Sequence, residues 1–143
     1  MNRQECFEYL GQVRGLNRRI ERLDEQILEL RYSLLPGAIR YDKDRVATSP
    51  KDNVTETFAR IYDLETDKKK LIAERQILTV CLFQIINRVP AGKERAFLLR
   101  FYIHCESMDK VADELNITLR HCFRIRNNAV VKFMEVLDDN RIS

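Results

Sequence analysis

The sequence has few residues that interrupt regular structure and no stretch suited to a membrane. Only 4 glycines and 3 prolines occur among 143 residues, and tryptophan is absent. An all-β fold needs a turn about every 8–12 residues, which this composition does not supply. No apolar run approaches the roughly 18 residues of a membrane helix, and no leader-like segment is visible. We therefore predict an all-α, cytoplasmic protein that has no membrane partner.

Motifs for metal binding and catalysis are also missing. The cysteines are widely spaced and include no CxxC pair: Cys6, Cys81, Cys105 and Cys122. Although His104–Cys105 and His121–Cys122 each offer two kinds of zinc ligand, neighbours on a helix point about 100° apart, and the spacing matches no common zinc pattern. No phosphate-binding loop or HExxH motif occurs. We expect buried thiols, no metal, no cofactor and no enzymatic activity.

The first part of the chain has the apolar spacing of a coiled coil. Its apolar residues recur alternately three and four positions apart: Cys6, Tyr9, Val13, Leu16, Ile20, Leu23, Ile27, Leu30 and Leu34. A seam sustained in this way predicts a long amphipathic helix. Pro36-Gly37 is a typical helix end. The pattern therefore predicts a first helix over about residues 4–35.

A second helix is predicted over about residues 50–88. Ser49 is a suitable cap and Pro50 suits the first helical position. Apolar residues again recur near heptad spacing, but Lys68 and Arg75 interrupt the seam.

The two predicted helices have similar lengths and are joined by a predicted loop, 36–49. This arrangement favours an antiparallel, coiled-coil-like hairpin over residues 1–89. The segment Val80–Ile86 is apolar on nearly all sides, so we expect it to be covered on more than one side. The same surface would also suit a homo-oligomer formed through the hairpin.

The C-terminal region, residues 90–143, has a pattern typical of a helix-turn-helix. Ser107 is the predicted cap of a short helix, and Thr118 is the predicted cap of the next one. Between them, Asn116 tolerates the left-handed conformation that such a turn requires. Apolar residues at helical spacing on both segments predict that the two helices pack together.

The second helix of this motif is locally cationic. From Thr118 to Phe133 the chain has four basic residues and no acidic residue, which favours an anionic partner. Arginine and histidine can bond guanine edges or phosphates, and asparagine can pair with adenine. We predict that seven exposed residues face double-stranded DNA: Thr118, Leu119, Arg120, His121, Phe123, Arg124 and Asn127.

Several short motifs lie between Phe97 and Phe133: Arg100-Phe101-Tyr102, Val111-Ala112-Asp113-Glu114-Leu115, Ile117-Thr118 and Phe123-Arg124-Ile125. Together they resemble region 4 of sigma-70-type RNA polymerase sigma factors. The N-terminal part, with Tyr9-Leu10 and Asp63-Leu64-Glu65, is similar to small sigma-factor-like proteins of phages and prophages. The resemblance implies a DNA-binding domain over 90–143 that acts on promoters. Because nothing resembles sigma region 2, it implies a regulator that does not open promoters alone.

Two other interpretations stay open. The chain can be a coiled-coil scaffold whose helix-turn-helix is only structural, because Leu119 and Phe123 would suit a protein partner. It can also be a packaging protein of the small-terminase type, since such proteins join a helix-turn-helix to a helical hairpin. Direct binding to RNA polymerase stays open as well.

Overall fold

The computed structural model describes residues 2–36 and 50–142, and every regular element in these ranges is helical. The prediction of an all-α fold is therefore confirmed. The helices in chain order are α1 (Arg3–Leu10), α2 (Gln12–Ser33), α3 (Pro50–Ile86), α4 (Lys93–Phe97), α5 (Met108–Glu114) and α6 (Leu119–Ile142). A π-helical segment, Leu98–Ile103, continues directly from α4. Of the predicted loop 36–49, all but Pro36 lies outside the described residues.

Helices α1 and α2 are separated only by Gly11. The backbone of Gly11 keeps right-handed helical angles, with φ −77° and ψ −5°. Its amide donates to the carbonyl of Phe7 at 3.0 Å, and its carbonyl accepts from the amide of Gly15 at 2.9 Å. At the start of α1, Asn2 and Glu5 form a reciprocal capping box, which satisfies two free amides. A nearly continuous helix therefore occupies most of the first predicted range.

The chain divides into two compact units. The terminal unit combines the residues up to Asn17 with those from Arg75 onward, whereas the middle unit is Arg18–Glu74. This division differs from the predicted boundary at residue 90. The reason is that α1, the start of α2 and the end of α3 contribute apolar side chains to the core around the C-terminal helices.

The core of the terminal unit is built around α6. Helices α1, α4 and α5 all pack against α6, and the rings of Tyr9 and Phe133 lie 6.2 Å apart between centroids. The largest fully buried side chains are apolar and come from all parts of this unit: Leu10, Val13, Leu82, Ile86, Val89, Phe97, Leu98, Val111, Val130 and Phe133. Burial of each such side chain contributes roughly 1.5–3 kcal/mol.

The segment after α4 is π-helical and does not continue as an ordinary α-helix. Its last bond joins the amide of His104 to the carbonyl of Leu99, five residues earlier, at 2.9 Å. The wider turn changes which residues face inward, and Leu98 and Tyr102 are buried beside Phe97. A period of 3.6 residues does not predict this face.

In the middle unit, α2 and α3 are joined by apolar packing and by ion pairs. Asp24 pairs with Lys68, and Arg31 pairs with Glu65. Arg31 follows Asp24 in α2, whereas its partner Glu65 precedes Lys68 in α3. Pairs in this reversed order are expected when two neighbouring helices run antiparallel. Buried residues from both helices lie in the seam: Ile20, Ile27, Ile61 and Leu71. Lys68, which interrupts the apolar pattern, therefore has an acidic partner on α2.

The end of α3 is less covered than expected. Leu82 and Ile86 are buried, whereas Val80 is 56% exposed and Phe83 is 47% exposed. The prediction that this segment is covered on more than one side is therefore wrong for these two residues in the single chain.

Arg75, the other polar residue of the seam, donates to Asn17 Oδ1 on α2 at 2.7 Å.

Candidate nucleic-acid interface

A sharp turn joins α5 to α6. Asn116 adopts φ 56°, the left-handed conformation predicted for it. The amide of Ile117 donates to the carbonyl of Ala112 at 3.0 Å, and the amide of Asn116 donates to that of Asp113 at 3.2 Å. These two bonds form a Schellman motif, in which asparagine takes the place usually held by glycine. The turn satisfies the last carbonyls of α5 and immediately redirects the chain into α6.

Both helices of this pair begin at the predicted caps. Ser107 Oγ accepts from the amide of Lys110 at 3.2 Å, and Thr118 Oγ1 accepts from the amide of His121 at 3.1 Å. The first turn of α6 contains no acidic residue. Its remaining amides and the helix dipole therefore present positive potential to the solvent.

The seven residues predicted to face DNA are all exposed: Thr118, Leu119, Arg120, His121, Phe123, Arg124 and Asn127. At 100° per residue, Arg120, Arg124 and Asn127 share one side of α6. Cys122 and Ala129, on the other side of the helix, are fully buried. Contact of this exposed side with DNA stays a prediction.

The exposed side also includes two large apolar residues. Leu119 and Phe123 are 43% and 42% exposed, respectively. Both lie on one flank of the stripe that contains Arg120, Arg124 and Asn127. The face is therefore mixed, with cations in the centre and apolar side chains along one margin.

The cations of the terminal unit differ in their ion pairing. Lys132 on α6 pairs with Glu94 at 3.5 Å, and Arg100 pairs with Glu106 at 3.4 Å. Within residues 2–36 and 50–142, no carboxylate forms an ion pair with Arg120 or Arg124. The positive charge at the start of α6 is therefore not neutralised by the described residues.

The structure adds residues that sequence reasoning did not assign to the site. Arg3 Nη2 donates to Asn127 Oδ1 at 3.0 Å, across 124 positions of the sequence. Arg126 lies between two rings, with its guanidinium carbon 5.6 Å from the Phe7 centroid and 5.3 Å from the Phe123 centroid. Its Nε is buried without a hydrogen-bond partner. Arg126 belongs to the basic segment between Thr118 and Phe133, but no local pattern indicated that α1 would reach this face.

Two buried side chains near Arg126 are held in their neutral forms. Burial raises the pKa of the Cys122 thiol, and the nearby Arg126 guanidinium partly opposes that rise. Burial likewise raises the pKa of Tyr102 to about 12, again against the effect of Arg126. Neither group therefore ionises near neutral pH.

The surface at the turn between α5 and α6 is a shallow depression open to solvent. It is lined by Ala112, Asp113, Asn116, Ile117, Thr118 and His121.

Among the residues that the structure describes, no group of three or more histidine, cysteine or acidic side chains could hold a metal ion. In the same part of the chain, no helix combines the length and apolar character needed to cross a membrane.

Comparisons with known proteins give no relative. The chain matches no protein-family model, no curated protein and no solved structure. Function is therefore inferred from the residues of the candidate face and from the motifs in the sequence.

Proposed function

We propose that the protein is a DNA-binding transcriptional regulator of the sigma region 4-like type. In this proposal the first turns of α6 enter the major groove, and α5 lies across them. The observation that supports this function best is the exposed pair Arg120 and Arg124. Both project from the start of a capped helix, and neither is neutralised by a described carboxylate.

The side chains on this face match the chemistry of duplex DNA. Arg120 and Arg124 can bond guanine edges or phosphates, and Asn127 offers an amide to a base. The free amides at the start of α6 suit a phosphate oxygen. Phe123, on the margin, can contact a thymine methyl group. Phosphate contacts would set the position of the helix and base contacts would set sequence preference.

The regulatory part of the proposal comes from the resemblance to sigma region 4. Such a module can bind promoter DNA, RNA polymerase or both. Leu119 and Phe123 provide an apolar margin that a polymerase surface could cover while the arginines contact DNA. Footprinting on upstream DNA with and without polymerase tests this part of the proposal. Protection that polymerase neither extends nor strengthens would contradict direct recruitment.

The DNA-binding part is tested by fluorescence anisotropy on a labelled mixed-sequence duplex over a range of salt. Replacing both Arg120 and Arg124 with alanine removes two phosphate contacts. We expect the slope of log K against log salt to become less steep by about 1.8 units, at about 0.9 per contact. Affinity at low salt should fall by about 30-fold or more, because each of the two lost contacts is worth at least about 1 kcal/mol.

Lys132→Ala is the matched control for this experiment. It removes a positive charge from the same helix, but from a side chain already paired with Glu94. We expect its binding curve and salt slope to overlay those of the unmodified protein. Absence of binding by the unmodified protein at low salt would refute DNA binding. An effect of Lys132→Ala half as large as that of the double variant, which removes two charges, would show that only net charge matters.

A second candidate function is a protein-interaction scaffold. The observation that favours it is a set of exposed apolar residues in the middle unit: Leu28, Tyr32, Phe58 and Tyr62. A monomeric protein rarely exposes large contiguous apolar surfaces without a binding role. Light scattering on the purified chain tests whether this surface binds a second copy of the chain, because self-association requires a mass above that of the monomer.

A further inference from the structure

Helix α1 is positioned beside the proposed DNA-binding face. Cys6 and Leu10 of α1 are fully buried in the core that α6 supplies, and Tyr9 packs near Phe133. This packing places the first turn of α1 beside Asn127, so that Arg3 reaches across and bonds it. A residue from the opposite end of the sequence therefore lies on the same surface as Arg124.

The arginines on this surface are close to one another and carry no described counter-charge. Arg3 and Arg126 lie over the same ring, Phe7, with guanidinium carbons 5.7 and 5.6 Å from its centroid. They are thus at most about 11 Å apart, close to the Debye length at ~0.1 M salt. No carboxylate among the described residues forms an ion pair with either of them.

The acidic residues of α1 do not offset this charge. Glu5 and Glu8 lie about 160° and 140° around the helix from Arg3, at 100° per residue. Glu5 is also engaged with the amide of Asn2 in the capping box. The side of α1 that faces α6 therefore adds positive potential to the surface, and the repulsion among these cations would be relieved by a polyanion.

We propose that α1 is part of the DNA interface, with Arg3 contacting a backbone phosphate beside the groove occupied by α6. This inference rests on the proposed function. The exposed Arg3 uses one of its five N–H groups in its described bond to Asn127. The others can bond phosphate oxygens, to which a guanidinium binds well.

The same contact sets the orientation of Asn127. A guanidinium only donates hydrogen bonds, so the Asn127 atom that faces Arg3 is the amide oxygen. The Asn127 Nδ2 group then points away from Arg3, where it can donate to an acceptor such as a purine N7. Arg3 is therefore a phosphate contact and also a positioning residue for Asn127.

The test measures duplex DNA binding by Arg3→Ala, using the labelled mixed-sequence duplex and a full salt titration. We expect the salt slope to become less steep by about 0.9 units, the value for one phosphate. A change of 0.9 in the slope of log K against log salt corresponds to a factor of about 3.5 over a fourfold change in salt. Between 50 and 200 mM salt, Arg3→Ala should therefore lose about 3.5 times less affinity than the unmodified protein loses. Lys132→Ala serves again as the control for one lost charge.

Two further variants separate a contact from a structural effect. Arg3→Lys keeps the charge and should restore the salt slope, because lysine also binds phosphate. Arg3→Gln removes the charge but keeps an amide that can donate to Asn127, so its slope should match that of Arg3→Ala. Circular dichroism melts of each variant establish that α1 remains folded.

The outcomes distinguish this inference from the function on which it rests. If Arg120→Ala/Arg124→Ala weakens binding while Arg3→Ala and Arg3→Gln keep the original salt slope, α1 is outside the interface and DNA binding stands. If the unmodified protein does not bind the duplex at low salt, both proposals are refuted. A less steep salt slope for Arg3→Gln, together with the original slope for Arg3→Lys, supports the inference.

Discussion

Arg14 connects α2 to the turn in front of α5, and replacing it with alanine should measurably destabilise the terminal unit. Its Nη1 donates to the carbonyls of Phe101 and Glu106, both at 2.9 Å. Its guanidinium carbon lies 4.0 Å from the Phe101 ring centroid. Between these carbonyls, Cys105 adopts φ 55°, a conformation unfavourable for most side chains. Arg14 therefore holds a turn whose local preferences oppose it.

The size of the effect follows from these contacts. A hydrogen bond from a charged donor contributes about 1.5–3 kcal/mol, and a cation–π contact adds about 0.5–2 kcal/mol. The full sum is not expected, because the site is half-buried and water can reach the freed carbonyls. We expect Arg14→Ala to lower the free energy of unfolding by about 2–4 kcal/mol, or the melting temperature by roughly 5–15 °C.

Urea denaturation followed by far-ultraviolet circular dichroism measures this difference. Arg19→Ala is the matched control, since Arg19 is an exposed arginine of the same helix and should change stability by no more than about 0.5 kcal/mol. Arg14→Lys keeps the charge but loses the planar stacking, so it should fall between the two. If Arg14→Ala is as stable as Arg19→Ala, the reasoning is refuted.

Two further predictions concern the turn and the cysteines. Asn116→Ala should lower the free energy of unfolding by about 1 kcal/mol, because alanine tolerates the left-handed conformation poorly, while Asn116→Gly should be neutral or stabilising. A higher melting temperature for Asn116→Ala than for Asn116→Gly would contradict this prediction. Iodoacetamide at neutral pH should modify exposed Cys81 well before Cys6, since burial shields Cys6 and raises its pKa to about 11. Equal modification rates of Cys81 and Cys6, measured by mass spectrometry, would contradict this prediction.

Features determined by neighbours along the chain could be predicted from the sequence. Ser107 and Thr118 cap their helices because a hydroxyl can reach an amide three residues ahead. Asn116 forms the turn because its own backbone tolerates the required angles. The buried positions Val13, Ile20 and others of the first seam likewise follow from a period that one helix repeats many times.

Features that depend on distant segments could not be predicted. The bond between Arg3 and Asn127 exists because α1 packs on α6, and no local pattern specifies that pairing. The burial of Tyr102 depends on a π-helical turn, which shifts the inward face away from the ordinary helical period. The exposure of the seven proposed contact residues was predictable, whereas the extension of their surface to α1 was not.

The packing of α1 on α6 has a consequence for how the chain acquires its structure during translation. About 120 residues separate Leu10 from Phe133, so at ~5–20 residues per second α1 leaves the ribosome several seconds before α6 exists. During that time the apolar side of α1 lacks the partner that later buries it. Such contacts between distant segments raise the contact order and slow folding. Although α1 is synthesised well before α6, it is therefore among the last helices of the terminal unit to reach its final environment.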